Sequence, residues 1–146
     1  MAKITVETPY AQVVELAEDA LNADVQRAEQ ELEVKPFPLI VRVGIDMTST
    51  YPGPPPWNPR APGLAIPDFQ RDFEFQLLEG KEIPRKSKQV YLLCSDAVAN
   101  IYRISGAIVE LQYDADKIDP YDDVTLKVHT PDDQNLITTF DLGPLQ

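Results

Sequence analysis

The chain has 146 residues, 43% of them hydrophobic and 25% charged, the composition of one ordinary globular domain with a core of its own. Its 24 acidic and 13 basic side chains leave a net charge of −11, which argues against nucleic acid as a partner, because affinity for phosphate backbones comes from clustered Lys and Arg. One cysteine excludes an internal disulfide, and one Cys with one His cannot build the usual four-ligand zinc site.

The N-terminal Met-Ala-Lys-Ile-Thr-Val-Glu has no long apolar region, so no signal peptide is expected, and no apolar run reaches bilayer length, so no membrane span is expected. A cytoplasmic or virion setting fits. Residues 2–7 read as a short strand or a loose arm. Thr8 and Pro9 then mark a helix start, Thr as N-cap and Pro at the first helical position. Val14, Ala17, Leu21, Val25, Ala28 and Leu32 follow at spacings of 3, 4, 4, 3 and 4, one apolar stripe of an amphipathic helix over 9–35. Pro36 ends it, since the residue before a proline is disfavoured in helical geometry. The stripe is expected to lie on a sheet, with a subunit contact as the alternative.

Residues 37–48 hold the first strong strand. Leu39, Val41, Val43, Ile45 and Met47 alternate with Ile40, Arg42, Gly44 and Asp46. A proline-rich loop or arm follows over 49–68. Between Tyr51 and Pro67 it holds half of the chain's 14 prolines and its only tryptophan. Proline has no N–H for a ladder, so the stretch is expected to be extended, docked either on its own sheet or on a partner. Tyr51, Pro52, Pro55, Trp57 and Arg60 are the expected partner-binding residues, Trp and Arg being favoured interface anchors.

Residues 69–142 read as antiparallel strands. Phe73, Phe75 and Leu77 face inward over 69–78, and Glu79-Gly80 turns. Pro84 to Lys88 reads as a polar connector, and Gln89 to Cys94 as a strand that ends on a core cysteine. Ser95 to Asn100 reads equally as a helical turn or as strand. Residues 101–113 form either a hairpin or one long strand with a bulge at Ser105-Gly106, with Val109, Leu111 and Tyr113 inward. Val124, Leu126 and Val128 face inward on the next strand, and Leu136, Thr138, Phe140 and Leu142 share a face on the last. The whole is a single domain, 1–146, mainly β (formally α+β). It is expected to be an antiparallel β-sandwich or partly closed barrel of six or seven strands with one N-terminal helix.

A Cys94–His129 dyad is the minimum for thiol catalysis, yet the inward cysteine and outward histidine oppose it. The acidic loop 114–123 offers Asp114, Asp116, Asp119 and Asp123 as hard oxygen ligands for calcium. It departs from the helix-loop-helix calcium pattern at Ile118, and lacks both the turn glycine and the closing glutamate, so a solvated turn is the simpler reading. No phosphate-binding glycine motif is present. The first functional expectation is therefore a non-catalytic structural or accessory subunit of a homo- or hetero-oligomeric protein assembly. The alternative is a β-domain that binds carbohydrate or peptide, with calcium as its one candidate cofactor. A small hydrolase ranks last.

Overall fold

The computed structural model describes residues 2–9, 12, 37–47, 69–98 and 101–143. Eight strands run through them: β1 (Ala2–Glu7), β2 (Leu39–Asp46), β3 (Glu74–Glu79), β4 (Lys81–Ile83), β5 (Arg85–Val98), β6 (Ile101–Tyr113), β7 (Asp123–His129) and β8 (Asn135–Asp141). They form two antiparallel four-stranded sheets, ordered β1-β2-β6-β5 and β4-β3-β7-β8. The chain is thus mainly β. The expected helix over 9–35 lies outside the described residues beyond its first turn, where Pro9 and Gln12 are helical and the Gln12 N–H donates to Thr8 O at 3.1 Å. Gln12 Nε2 also donates to Pro38 O at 2.7 Å, tying this turn to the chain entering β2.

One apolar cluster draws on both sheets. The first contributes Leu39, Val41, Val43, Ile45, Ala107, Val109, Leu111 and Tyr113; the second contributes Phe75, Leu77, Val124, Leu126 and Val128. All but Ala107 are positions that period-2 alternation sets on one face of their strands, because successive strand side chains point to opposite faces. The alternation is incomplete on β2 and β6, where Ile40 and Glu110 are buried on the opposite face.

Several boundaries differ from the expectation. Phe69–Asp72 is a 3₁₀ turn, and the strand begins only at Glu74. The polar connector 84–88 is instead the first part of β5: Pro84 carries the chain from β4, an edge of one sheet, to β5, an edge of the other. A strand at an edge tolerates the polar residues that made this stretch look like a loop, since one flank meets solvent. Ser95 to Val98 is strand. The extra strand beyond the expected six or seven is β4, three residues long and joined to β3 by Gly80 at φ +68°, a conformation that glycine adopts without Cβ strain.

β6 is one long strand with an irregularity at Ser105. Leu93 pairs with Gly106 but Cys94 pairs with Ile104, leaving Ser105 as the extra residue of a bulge. β2 stops opposite Gly106, and one further backbone hydrogen bond, from Met47 N–H to Ser105 O at 2.8 Å, ends its contact with β6; past Ser105, β5 and β6 form a two-stranded ladder among the described residues. Cys94 lies on this two-stranded extension and is exposed, not in the core as expected. The sequence shows an apolar run leading to the cysteine; it does not show that the neighbouring strand ends one residue earlier.

Candidate functional site

The β7–β8 turn is built by Thr130. Its backbone N–H donates to Gln134 O at 2.9 Å, its carbonyl accepts the Asp133 N–H at 3.0 Å, and its hydroxyl accepts the Gln134 N–H at 3.1 Å. The same hydroxyl donates to Asp132, and Gln134 Nε2 donates to the other Asp132 carboxylate oxygen at 2.9 Å. The turn closes with Asp133 at φ +63°, a left-handed conformation that Asp tolerates better than most residues. Beside it an open cleft of about 460 Å³ is lined by Arg71, Asp72, Glu74, His129, Thr130, Pro131 and Asp133.

His129, the chain's only histidine, ends β7 between two registers: Glu74 of β3 opposes it on one side and Asn135 of β8 on the other. Its Nδ1 is 3.2 Å from Asn135 Oδ1 and its Nε2 is 3.6 Å from Asp133 Oδ1. Arg71 and Asp72 pair at 3.7 Å on the far wall, both exposed. The cleft falls within the volume range of small-ligand sites, but such sites are mostly apolar, and here Pro131 is the one apolar wall. Hydrogen bonding to a polar ligand is what this lining supports. Cys94 lies on the other sheet, away from this cleft.

The four aspartates expected as calcium ligands are placed as follows. Asp114 Oδ1 lies 3.2 Å from Lys86 Nζ and its Oδ2 lies 3.2 Å from Lys117 Nζ. Hydrogen bonds from Lys86, then from Lys117, hold its carboxyl below the usual aspartate range. Asp116 is exposed in a 3₁₀ turn over Ala115–Lys117. Asp119 Oδ1 accepts the Tyr121 N–H at 2.9 Å, while its own N–H donates to Glu79 Oε1 at 2.7 Å and docks the loop on the β3–β4 hairpin. Asp123 opens β7, opposite Asp141. Ile118, the residue that breaks the calcium-loop pattern, is packed into the core. Among the described residues no three His, Cys, Asp or Glu side chains converge as a metal ion requires. Each Asp114 carboxylate oxygen thus faces one ammonium group.

The expected docking residues Tyr51, Pro52, Pro55, Trp57 and Arg60 lie outside the described residues. The cleft residues around His129 were not singled out from sequence. The turn Thr130-Pro131-Asp132-Asp133 was legible, but the presence of Glu74 and Arg71 beside it follows from the β3–β7 register. No helix among the described residues is long and apolar enough to cross a membrane. No family model, no curated protein and no solved structure matches the chain.

Proposed function

We propose that this chain is a non-catalytic structural or accessory subunit of a larger protein assembly. Its docking surfaces are the proline-rich loop, with Tyr51, Pro52, Pro55, Trp57 and Arg60 as anchors, and secondarily the N-terminal helix. The observation that carries the reading is apolar surface left on sheet edges of a strongly acidic chain. Tyr91 and Leu93 on β5, and Leu136 and Ile137 on β8, are exposed. Edge strands with apolar side chains in solvent invite a further strand or a covering partner. The absence of any ladder between the two sheets among the described residues favours a sandwich over a barrel. The buried Ile40 and Glu110 support a helix lying on the outer face of the first sheet. Assemblies of the cytoplasm or of a virion both suit such a subunit.

The test is solution mass by light scattering for the intact chain and for a variant lacking Tyr51 to Pro67. A folded variant that has lost an oligomer, or lost a partner captured by the intact chain, supports the reading. Equal behaviour of the two proteins toward every partner sinks the loop as a docking surface.

The cleft at His129 favours a second reading, a β-domain that binds a polar ligand such as an oligosaccharide or peptide. Its test is NMR titration of the His129 ring resonances with oligosaccharides and with peptides, with and without calcium. Resonances unmoved throughout would remove this reading.

A further inference from the structure

The two longest edge strands among the described residues are built differently. β5 carries Arg85, Lys86 and Lys88, and its register to β6 breaks between Arg85 and Ser87, between Leu93 and Cys94, and between Ser95 and Val98. Lys88 sits opposite the core residue Leu111, with its Nζ 5.5 Å above the Phe75 ring. Bulges, lysines and a charge aimed at the core rim are the devices by which edge strands resist pairing. β8 has none of them. From Asn135 to Phe140 it holds no charged residue, no proline and no glycine. Its seven rungs to β7, from Asn135 opposite His129 to Asp141 opposite Asp123, run in unbroken register. Ile137 is 60% exposed and Leu136 41%. Among the described residues no strand lies on its other side.

We propose that β8 is the seam of a homodimer, in which two copies pair antiparallel through β8 and join two four-stranded sheets into one of eight strands. A two-fold axis at Thr138 sets Leu136 opposite Phe140, Ile137 opposite Thr139 and Asn135 opposite Asp141. Every rung is then apolar or polar-compatible, and no like charges meet, which is the self-complementarity an isologous interface requires. Charge selects the occupant. Each copy carries −11, so two copies repel one another over most of their surfaces and approach only where acid is missing. β8 supplies that window, and its two Asp141 carboxylates stand six residues apart along the strands, about 20 Å, beyond the screening length at physiological salt. A basic foreign peptide finds a single carboxylate on this strand, Asp141 at its end, and none from Asn135 to Phe140. The inference rests on the assembly reading for its context, but the seam is β8 and not the proline-rich loop.

The experiment is sedimentation velocity with reductant present, since Cys94 is exposed, over micromolar to submillimolar protein and from low salt to about 0.5 M. The intact chain is expected at twice its chain mass, with dimerisation strengthened as salt screens the repulsion. Ile137→Lys is expected at the mass of one chain with an unchanged far-ultraviolet circular dichroism spectrum, because the two new lysines meet diagonally across the axis. Ile137→Asp is expected to do the same. The variant lacking Tyr51 to Pro67 is expected to remain dimeric, and amides 135–141 to gain hydrogen-exchange protection as concentration rises. A single-chain mass for the intact protein throughout, or a dimer retained by both Ile137 variants, overturns the proposal. Loss of the dimer on deleting the loop but not in the Ile137 variants overturns the β8 seam and leaves the assembly reading standing.

Discussion

Arg42 Nε lies 3.0 Å from Glu110 Oε2, and the two residues stand directly opposite each other on β2 and β6. Glu110 is only 8% exposed although it faces away from the core, and its other oxygen accepts Gln112 Nε2 at 3.1 Å. A carboxylate withdrawn from water depends on such partners, because its desolvation is not recovered without them. Arg42→Ala is expected to destabilise the fold by about 2 kcal/mol, less than for a fully buried pair because the arginine is partly hydrated. Arg42→Ala with Glu110→Ala should cost less than the sum of the two single changes. Urea denaturation of the four proteins checks this, and an Arg42→Ala variant as stable as the intact chain would refute it.

Gly106 is required by close approach and not by its φ. A Cβ built there meets the Ile45 carbonyl oxygen at 2.2 Å, where β2 and β6 run together. The obstacle is backbone, which cannot rotate away as a side chain would. Gly106→Ala is therefore expected to cost about 3 kcal/mol, the upper range for overpacking, read as a lowered thermal midpoint. Gly80→Ala has open space around its Cβ and meets only the strain of a positive φ, so it should cost less, about 1 kcal/mol. Equal losses would contradict this account.

Tyr113 is 1% exposed at the end of β6, and its hydroxyl has no hydrogen-bond partner among the described residues. Burial pushes its pKa up to about 12, with Arg85 opposing and Glu82 adding a smaller rise. A pKa raised on folding means stability fully present below pH 10, the ordinary value, and lost as pH rises through about 12. Tyr113→Phe removes both the titration and the unpaired hydroxyl. The variant is expected to be as stable as the intact chain or about 1 kcal/mol more stable at neutral pH. It should also lose less stability than the intact chain between pH 10 and 12. Parallel alkaline profiles for the two proteins would show that the hydroxyl finds solvent or a partner.

Asp114 works in the opposite sense. Its carboxyl is held below the usual range by Lys86 and Lys117, so the stability it contributes is present above the ordinary value of 3.8 and disappears as pH falls through the lower folded value. Asp114→Asn should narrow the loss of stability in that acid window, with a small effect because the site is open to solvent. The same variant bears on calcium. If calcium raises the melting temperature of the intact chain and of Asp114→Asn equally, Asp114 is not a ligand.

Much of the β architecture was legible because alternation is a local property. Val41, Val43, Phe75, Leu77, Val109, Leu111, Val124, Leu126 and Val128 fall on one face of their strands by alternation with their neighbours, and all are buried. Failures fell where the outcome depended on a strand far off in the chain. Arg85 to Lys88 has the composition of a connector and becomes strand because β6 offers it a ladder. Leu136 shares the inward parity of its strand yet is 41% exposed, since β8 is an edge whose end is uncovered.

The candidate sites divide in the same way. The sequence by itself set the expectations that one cysteine and one histidine do not supply the usual four-ligand zinc site and that nucleic acid is not the partner, and it shows that Asp114 to Asp123 is an acidic stretch. Only the tertiary structure decided that Asp114 spends both carboxylate oxygens on lysines, one of them from β5, and that Ile118 turns into the core. It also brought Glu74 beside His129 and left β8 an edge among the described strands, uncharged from Asn135 to Phe140. The physical reason is range. Alternation, proline and turn chemistry act between residues a few positions apart, whereas which strand lies at an edge, and which carboxylate meets which ammonium, is set by pairings across the chain that local spacing does not encode.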